Sequence, residues 1–168
     1  MKAKLFFPIA VLFLMGIFVL NTSFSDAYFS YWNYIPVFMK RSDLDNSVSY
    51  HVLARDMENP GKIYFKSPYI YINERYKGVH VINNSDPYNP VNEGFIIAPG
   101  CIDMAVKGNV MYIDNAVDLV AIDLLTKTVS KRIKNVFPEP LAPDNSMYYN
   151  NDRENYVIVE WKKNPDKK

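Results

Sequence analysis

Ile63-Tyr64-Phe65-Lys66, followed by Ile70-Tyr71-Ile72-Asn73 and Val79-His80-Val81-Ile82-Asn83, forms a three-part run that returns further along the chain. The second instance reads Met104-Ala105-Val106-Lys107, Met111-Tyr112-Ile113-Asp114 and Leu119-Val120-Ala121-Ile122-Asp123. Lys66 and Lys107 stand 41 residues apart, as do Tyr71 and Tyr112, while Asn83 and Asp123 stand 40 apart. A period of about 40 residues belongs to propeller blades, in which a unit of roughly four short strands cannot bury its own apolar face and must stack on a neighbour.

Around these runs the text is rich in Val, Ile, Tyr and Phe and is cut by compact breakers. Ser67-Pro68, Lys77-Gly78, Asp86-Pro87-Tyr88-Asn89-Pro90, Pro99-Gly100 and Gly108-Asn109 mark the connections. The spacing predicts strands near 62–66, 69–74, 78–83 and 92–97, then near 103–107, 110–114, 118–123 and 128–133, two sets of four. Gly108-Asn109, set between two alternating runs, is a tight hairpin signal. Tyr112 and Ile122 are expected in the core. Asn73, Asn83, Asp114 and Asp123 are expected to anchor turns through their short polar side chains.

Beyond Val136 the prolines of Phe137-Pro138-Glu139-Pro140 and Ala142-Pro143-Asp144 exclude a central strand. Ser146–Asn150 and Tyr156–Trp161 bracket a polar turn and predict a terminal hairpin, and Lys162–Lys168 predicts a fraying charged tail. Upstream, Tyr28 to Phe38 carries six aromatic residues. That density suits a strap packed on the sheets or a docking segment for a partner or membrane surface. Ser42–Ser47 predicts a short helical turn with a Ser cap, and Ser49–Leu53 a weak further strand.

At the N-terminus, Lys2 and Lys4 precede an apolar run from Leu5 to Leu20, with small residues at Ser23, Ser25 and Ala27. This pattern predicts an export signal ending near residue 25, or, failing cleavage, a single anchor. The expected organisation is thus 1–25 signal, 26–60 aromatic segment and helical turn, 61–161 β-repeat domain and 162–168 tail. The β-repeat domain divides into repeats at 61–99 and 100–136 and the terminal hairpin at 145–161.

Cutting after Ser25 lowers Lys+Arg from 19 to 17 against 18 Asp+Glu, a formal charge of −1. That balance gives no basic patch for nucleic acid. Cys101 is the single cysteine, so the chain holds no internal disulfide, and its Gly-Cys-Ile setting predicts a small buried apolar residue.

Leu119-Val120-Ala121-Ile122-Asp123 resembles the Leu-Val-Ile-Val-Asp pentapeptide that names the LVIVD-repeat β-propeller proteins. The Ser85-Asp86-Pro87-Tyr88-Asn89-Pro90 step after the first pentapeptide-like run, and Gly108-Asn109 ahead of Tyr112, are similar to features of those repeats. The likeness covers residues 60 to 135 and extends to short exported members of that family, often lipoproteins, in Bacteroidetes-like bacteria. It implies a propeller-type fold and little about activity. This chain departs from the pattern in having no lipid-attachment cysteine, in Asn83 where Asp is usual, and in offering two repeats.

The expected fold is therefore all-β: two four-stranded propeller-like repeats and a hairpin, unable to close a ring, since rings take about four to eight blades. Asp103, Asp114, Asp118 and Asp123 at strand ends invite an acid–base or cation-binding hypothesis. Their recurrence as Asn73 and Asn83 favours turn anchoring. The sequence shows no phosphate loop, zinc motif or nucleophile elbow, so neither a cofactor nor a metal is expected. Tyr31, Trp32, Tyr34, Tyr148, Tyr149 and Trp161 are candidate contacts for a protein partner or a glycan. The expectation is a non-enzymatic scaffold or interaction module of the cell envelope or periplasm, with another envelope protein or a second copy as partner. A carbohydrate-binding module using the C-terminal aromatics is the alternative, and a hydrolase using the carboxylates a weaker one.

Overall fold

The computed structural model describes residues 32–167. The fold is all-β, with several antiparallel sheets and no closed barrel. The described residues form a large unit, Pro36–Lys162, and a small one from the chain ends, before Pro36 and after Lys162. The expected leader at 1–25 and Tyr31 lie outside the described residues. Among those described, no helix is long and apolar enough to cross a membrane.

Eleven strands order the described residues. The first sheet takes β2 (Ser49–His51), β3 (Pro60–Lys66), β4 (Tyr69–Glu74), β5 (Gly78–Asn83) and β6 (Val91–Ile97), in the order β2-β6-β5-β4-β3. It has five strands where four were expected, because Ser49, Tyr50 and His51 pair with Ile97, Ile96 and Phe95 and extend the sheet beyond β6. The second sheet is the four-stranded meander β7 (Met104–Lys107), β8 (Val110–Asn115), β9 (Asp118–Asp123) and β10 (Thr128–Ile133). Gly108, at φ 58°, closes the β7–β8 hairpin with Asn109, between the paired Lys107 and Val110.

The two sheets stack with their strands in the same order, β3 lying against β7 and β2 against β10. Tyr71, Val79, Val81 and Ile96 of the first sheet meet Met104, Met111, Ile113, Val120 and Ile122 of the second in one buried cluster, which also takes in Cys101. Side chains alternate across a strand, so each sheet gives one face to this core. Tyr64 Oη donates to the Val106 carbonyl at 2.9 Å, and Lys66 Nζ reaches the Gly108 carbonyl and, at 3.2 Å, Asn109 Oδ1. The link between the sheets is tight: at Gly100, with φ 80°, a Cβ would sit 2.7 Å from the backbone of Ala116.

Tyr112 is not in the core. It is 37% exposed, on the outward face of the second sheet, whereas Ile122 is buried as expected. Because stacking is face to back, residues one repeat apart fall on the same side of their own sheets and so in different environments. Tyr71 faces the next sheet, and Tyr112 faces away from both.

The terminal hairpin also differs from expectation. β11 (Tyr156–Lys163) pairs with β1 (Tyr34–Lys40), so the aromatic segment supplies its partner and Ser146–Asn150 forms no strand. The apolar alternation of Val157 and Val159 finds its match in Val37 and Met39, and these pack with Leu44, Ala116 and Val117 in a second cluster. The one described helix, α1 (Arg41–Leu44), follows β1 directly; its N-cap is Lys40, without a side-chain cap bond, so Ser42 lies inside the turn and does not cap it. The charged tail is tied where fraying was expected. Lys162 and Lys163 complete β11, and Asn164 is buried, its side-chain amide donating to the Trp32 carbonyl at 2.8 Å.

Candidate functional site

The outward face of the second sheet is where the molecule offers a partner a shaped surface. After β10 the chain turns back, and Phe137-Pro138-Glu139-Pro140-Leu141 runs over this face without forming a strand, tied to the β8–β9 turn by the Phe137 N–H, which donates to the Val117 carbonyl at 3.0 Å. Prolines lack the donor needed for a ladder, so the segment stands off as a wall. Trp161 fixes it from behind by donating Nε1–H to the Pro140 carbonyl at 2.8 Å. Between wall and sheet lies an open groove of about 630 Å³, floored by Ala105, Tyr112 and Leu119 and walled by Phe137, Pro140 and Leu141. Leu141 is 54% exposed, and Ile102, at the rim, is also exposed.

Asp103, Asp114, Lys62 and Glu139 supply the polar rim. Lys62 Nζ pairs with Asp103 at 2.6 Å, and Asp103 Oδ1 also accepts the Met104 N–H. Asp114 Oδ1 accepts the N–H groups of Ile102 and Asp103 at 2.8 and 2.9 Å. Burial raises the Asp114 carboxyl above the usual carboxylate range, outweighing the pull of those two N–H bonds in the other direction. Asp103 and Asp114 are therefore engaged in holding the 102–104 strand entry, while Glu139 accepts from the Asn150 side-chain amide at 2.8 Å and pairs with Arg153 at 3.5 Å.

The other expected anchors behave similarly. Asp123 Oδ1 accepts from Leu125 and Thr126, and those bonds lower its pKa. Asn83 Oδ1 accepts the Ser85 N–H, and Asn73 Nδ2 spans its hairpin to the Gly78 carbonyl at 3.1 Å while also touching Cys101 Sγ at 3.3 Å. Cys101 is fully buried, and desolvation raises its thiol well above the ordinary value. It is a packing residue. Asp118 belongs to no acid–base site: fully buried, it is clamped by Arg41 and Arg132 at 2.7 and 2.8 Å and by the Asn135 N–H. Asp103 and Asp114 thus share one strand entry, while Asp118 and Asp123 serve an ion cluster and a turn elsewhere.

In the large unit the expected aromatic contacts Tyr148, Tyr149 and Trp161 stand in three different environments. Trp161 is buried as the pin of the groove wall, and Tyr148 stacks edge-on against Phe38 at 5.6 Å. Tyr149 is 81% exposed. Trp32 and Tyr34 are partly buried.

Sequence reasoning missed two features. One is the groove wall, because prolines signal only what a segment cannot do. The other is a buried Glu74–His80 pair, 3.1 Å apart on the first sheet. Glu74 also accepts the N–H groups of Asn59 and of Glu58, the latter at 3.2 Å, so it fastens the preceding loop over His80 and Phe95. Burial opposes ionisation of Glu74, but the Asn59, His80 and Glu58 bonds together leave its pKa lowered. Its signal was present in the alternation, which places His80 on the opposite face from Val79 and Val81. Among the described residues no group of three His, Cys, Asp or Glu side chains is placed to hold a metal ion.

Compared with protein-family models, with curated proteins and with solved structures, the chain finds no match.

Proposed function

We propose that this chain is a non-enzymatic, exported, β-propeller-like repeat protein that serves as an interaction or scaffold module of the cell envelope. The observation that carries the reading is the groove on the second sheet. Its floor and wall are apolar, its rim is polar, and its wall is tied at Pro140 by the Trp161 hydrogen bond. Such a surface suits a protein segment that buries apolar side chains at its centre. The Asp103 and Asp114 carboxylates beside it are committed to backbone N–H groups and Lys62, and Glu139 to Asn150 and Arg153, which argues for recognition over hydrolysis. The basic and apolar start of the chain supports export, and the likeness of residues 60 to 135 to LVIVD repeats supports a stacking, non-catalytic architecture. Burial of Trp161 weakens the glycan alternative by removing the largest aromatic from its platform.

A photo-reactive side chain at Leu141 of the full chain, illuminated in intact envelopes, is expected to give one discrete protein adduct. The same group at Tyr88, which is 99% exposed and outside the groove lining, is expected to give none. Equal labelling at both positions, or none at either, would refute the reading. Retention on polysaccharide resin that Tyr149→Ala abolishes would favour the glycan alternative.

A further inference from the structure

The first sheet leaves a second apolar surface. Its outward face carries Phe65, Ile70 and Ile82 as direct cross-strand neighbours, with Ile63 and Ile72 paired in the adjoining row. Ile63 and Phe65 are 66% and 62% exposed, while Ile70, Ile72 and Ile82 are partly buried. The loop held by Glu74 covers the His80–Phe95 end, with Arg55 lying 4.9 Å over the Phe95 ring, and leaves Ile63 and Phe65 open.

The repeat identifies what this face is. Shifted by 41 residues, Ile63, Phe65, Ile70 and Ile72 become Met104, Val106, Met111 and Ile113, and Ile82 becomes Ile122 at a shift of 40. Those are the residues with which the second sheet packs on the first. By the same shift, Tyr71 becomes Tyr112 and Lys66 becomes Lys107, which places the groove floor in the position of the first sheet's inward face. The chain therefore shows one half of its internal interface at one end and the complementary half at the other.

We infer that the outward face of the first sheet in one copy docks on the groove face of the second sheet in another copy, repeating between chains the packing that joins the sheets within one. This rests on the proposed groove and names its partner as a second copy. The contact is heterologous, so copies add head to tail, either to a closed ring or to an open stack. Lys66 bonds the β7–β8 hairpin tip within the chain. Lys107, exposed and with no ion pair among the described residues, is its equivalent and would reach the Ser67-Pro68 tip of the incoming copy. Ala105 stands where the first sheet has Tyr64, so the counterpart of the Tyr64–Val106 bond is absent from the contact between copies.

Sedimentation of the full chain over a concentration series, with Phe65→Asp and Tyr112→Asp variants, tests this. Wild type is expected to assemble, and each variant to weaken association by roughly 30-fold or more, as loss of an interface hot spot does. Each variant keeps one intact face, so an equimolar mixture is expected to form dimers and nothing larger. Circular dichroism checks the fold, and Ile63→Asp replaces Phe65→Asp if the latter unfolds. A wild type that stays monomeric overturns the inference. Assembly lost in Phe65→Asp but retained in Tyr112→Asp also overturns it, because the first-sheet face would then pair with itself. A Leu141 adduct with a different polypeptide, with wild type monomeric, overturns the inference and leaves the proposed function standing.

Discussion

Tyr71 and Tyr112 are the same residue at the same point of the repeat, yet one is 3% exposed and the other 37%. Burial pushes the Tyr71 hydroxyl up to about 12. The sheets that carry them also close their β4–β5 and β8–β9 hairpin ends differently. The first sheet buries Glu74 against His80 and two backbone N–H groups, while the second buries Asp118 between Arg41 and Arg132. Repetition fixed the strand pattern, and position in the stack fixed what each copy of the pattern does. A two-sheet stack has two inward faces and two outward ones, so half of the repeated residues are core and their counterparts are surface.

That asymmetry can be broken most sharply at the tyrosines. Tyr71→Ala is expected to cost about 3–5 kcal/mol, as for other large aromatic truncations in a core, and Tyr112→Ala about 1 kcal/mol or less in dilute solution. Urea titration of both variants checks this, and equal losses would mean that the two faces are equally buried.

Next in size is the ion cluster of the second sheet. Asp118→Ala leaves Arg41 and Arg132 facing each other without their buried counter-charge, and a loss of about 3–5 kcal/mol is expected. The Arg41 guanidinium reaches both Asp118 carboxylate oxygens and Arg132 reaches one of them, a planar donor geometry that lysine in place of either would not reproduce. A thermal melt showing Asp118→Ala within error of wild type would remove the cluster from the account of stability.

The smallest effects separate the sheets by pH. Glu74 has a lowered pKa, so its contribution is present above the ordinary value of 4.5 and is lost as pH falls through its folded value. Asp114 has a raised pKa, so its contribution is present below 3.8 and is lost as pH rises through its folded value. The stability gap between wild type and Glu74→Gln is therefore expected to shrink on acidification below about pH 4.5. The gap between wild type and Asp114→Asn is expected to move the opposite way. Urea midpoints measured across the acid range decide, and parallel curves for the two variants would contradict the assigned environments.

Much of the fold was legible because strands announce themselves through local patterns. The alternating runs, the Gly108-Asn109 turn and the 41-residue shift located the eight repeat strands to within a few residues. The local backbone bonds of Asn73, Asn83 and Asp123 were legible too, since a short polar side chain at a strand end bonds backbone close by. Asp114 instead holds Ile102 and Asp103 at the entry of the adjoining strand, 12 and 11 residues away. The partner of β11 was not. Ser146–Asn150 is near in sequence and carries aromatics, but β1 offers Val37 and Met39 on the face that Val157 and Val159 need. Nor was the groove, since its floor comes from three strands and its wall from a segment whose prolines say only that it will not pair.

What the sequence determined by itself was everything set by neighbours a few residues away: strand periodicity, turns, a repeating unit that must stack, and a single buried thiol at Cys101. Tertiary structure decided which side of each sheet meets the other, and with it the fates of Tyr112, Trp161 and Asp118. The physical reason is that side-chain alternation supplies two faces to every strand, and the sequence marks both as apolar in this repeat. Only the order of stacking determines which is buried, because that choice depends on contacts between the sheets such as that of Tyr64 with Val106, 42 positions apart.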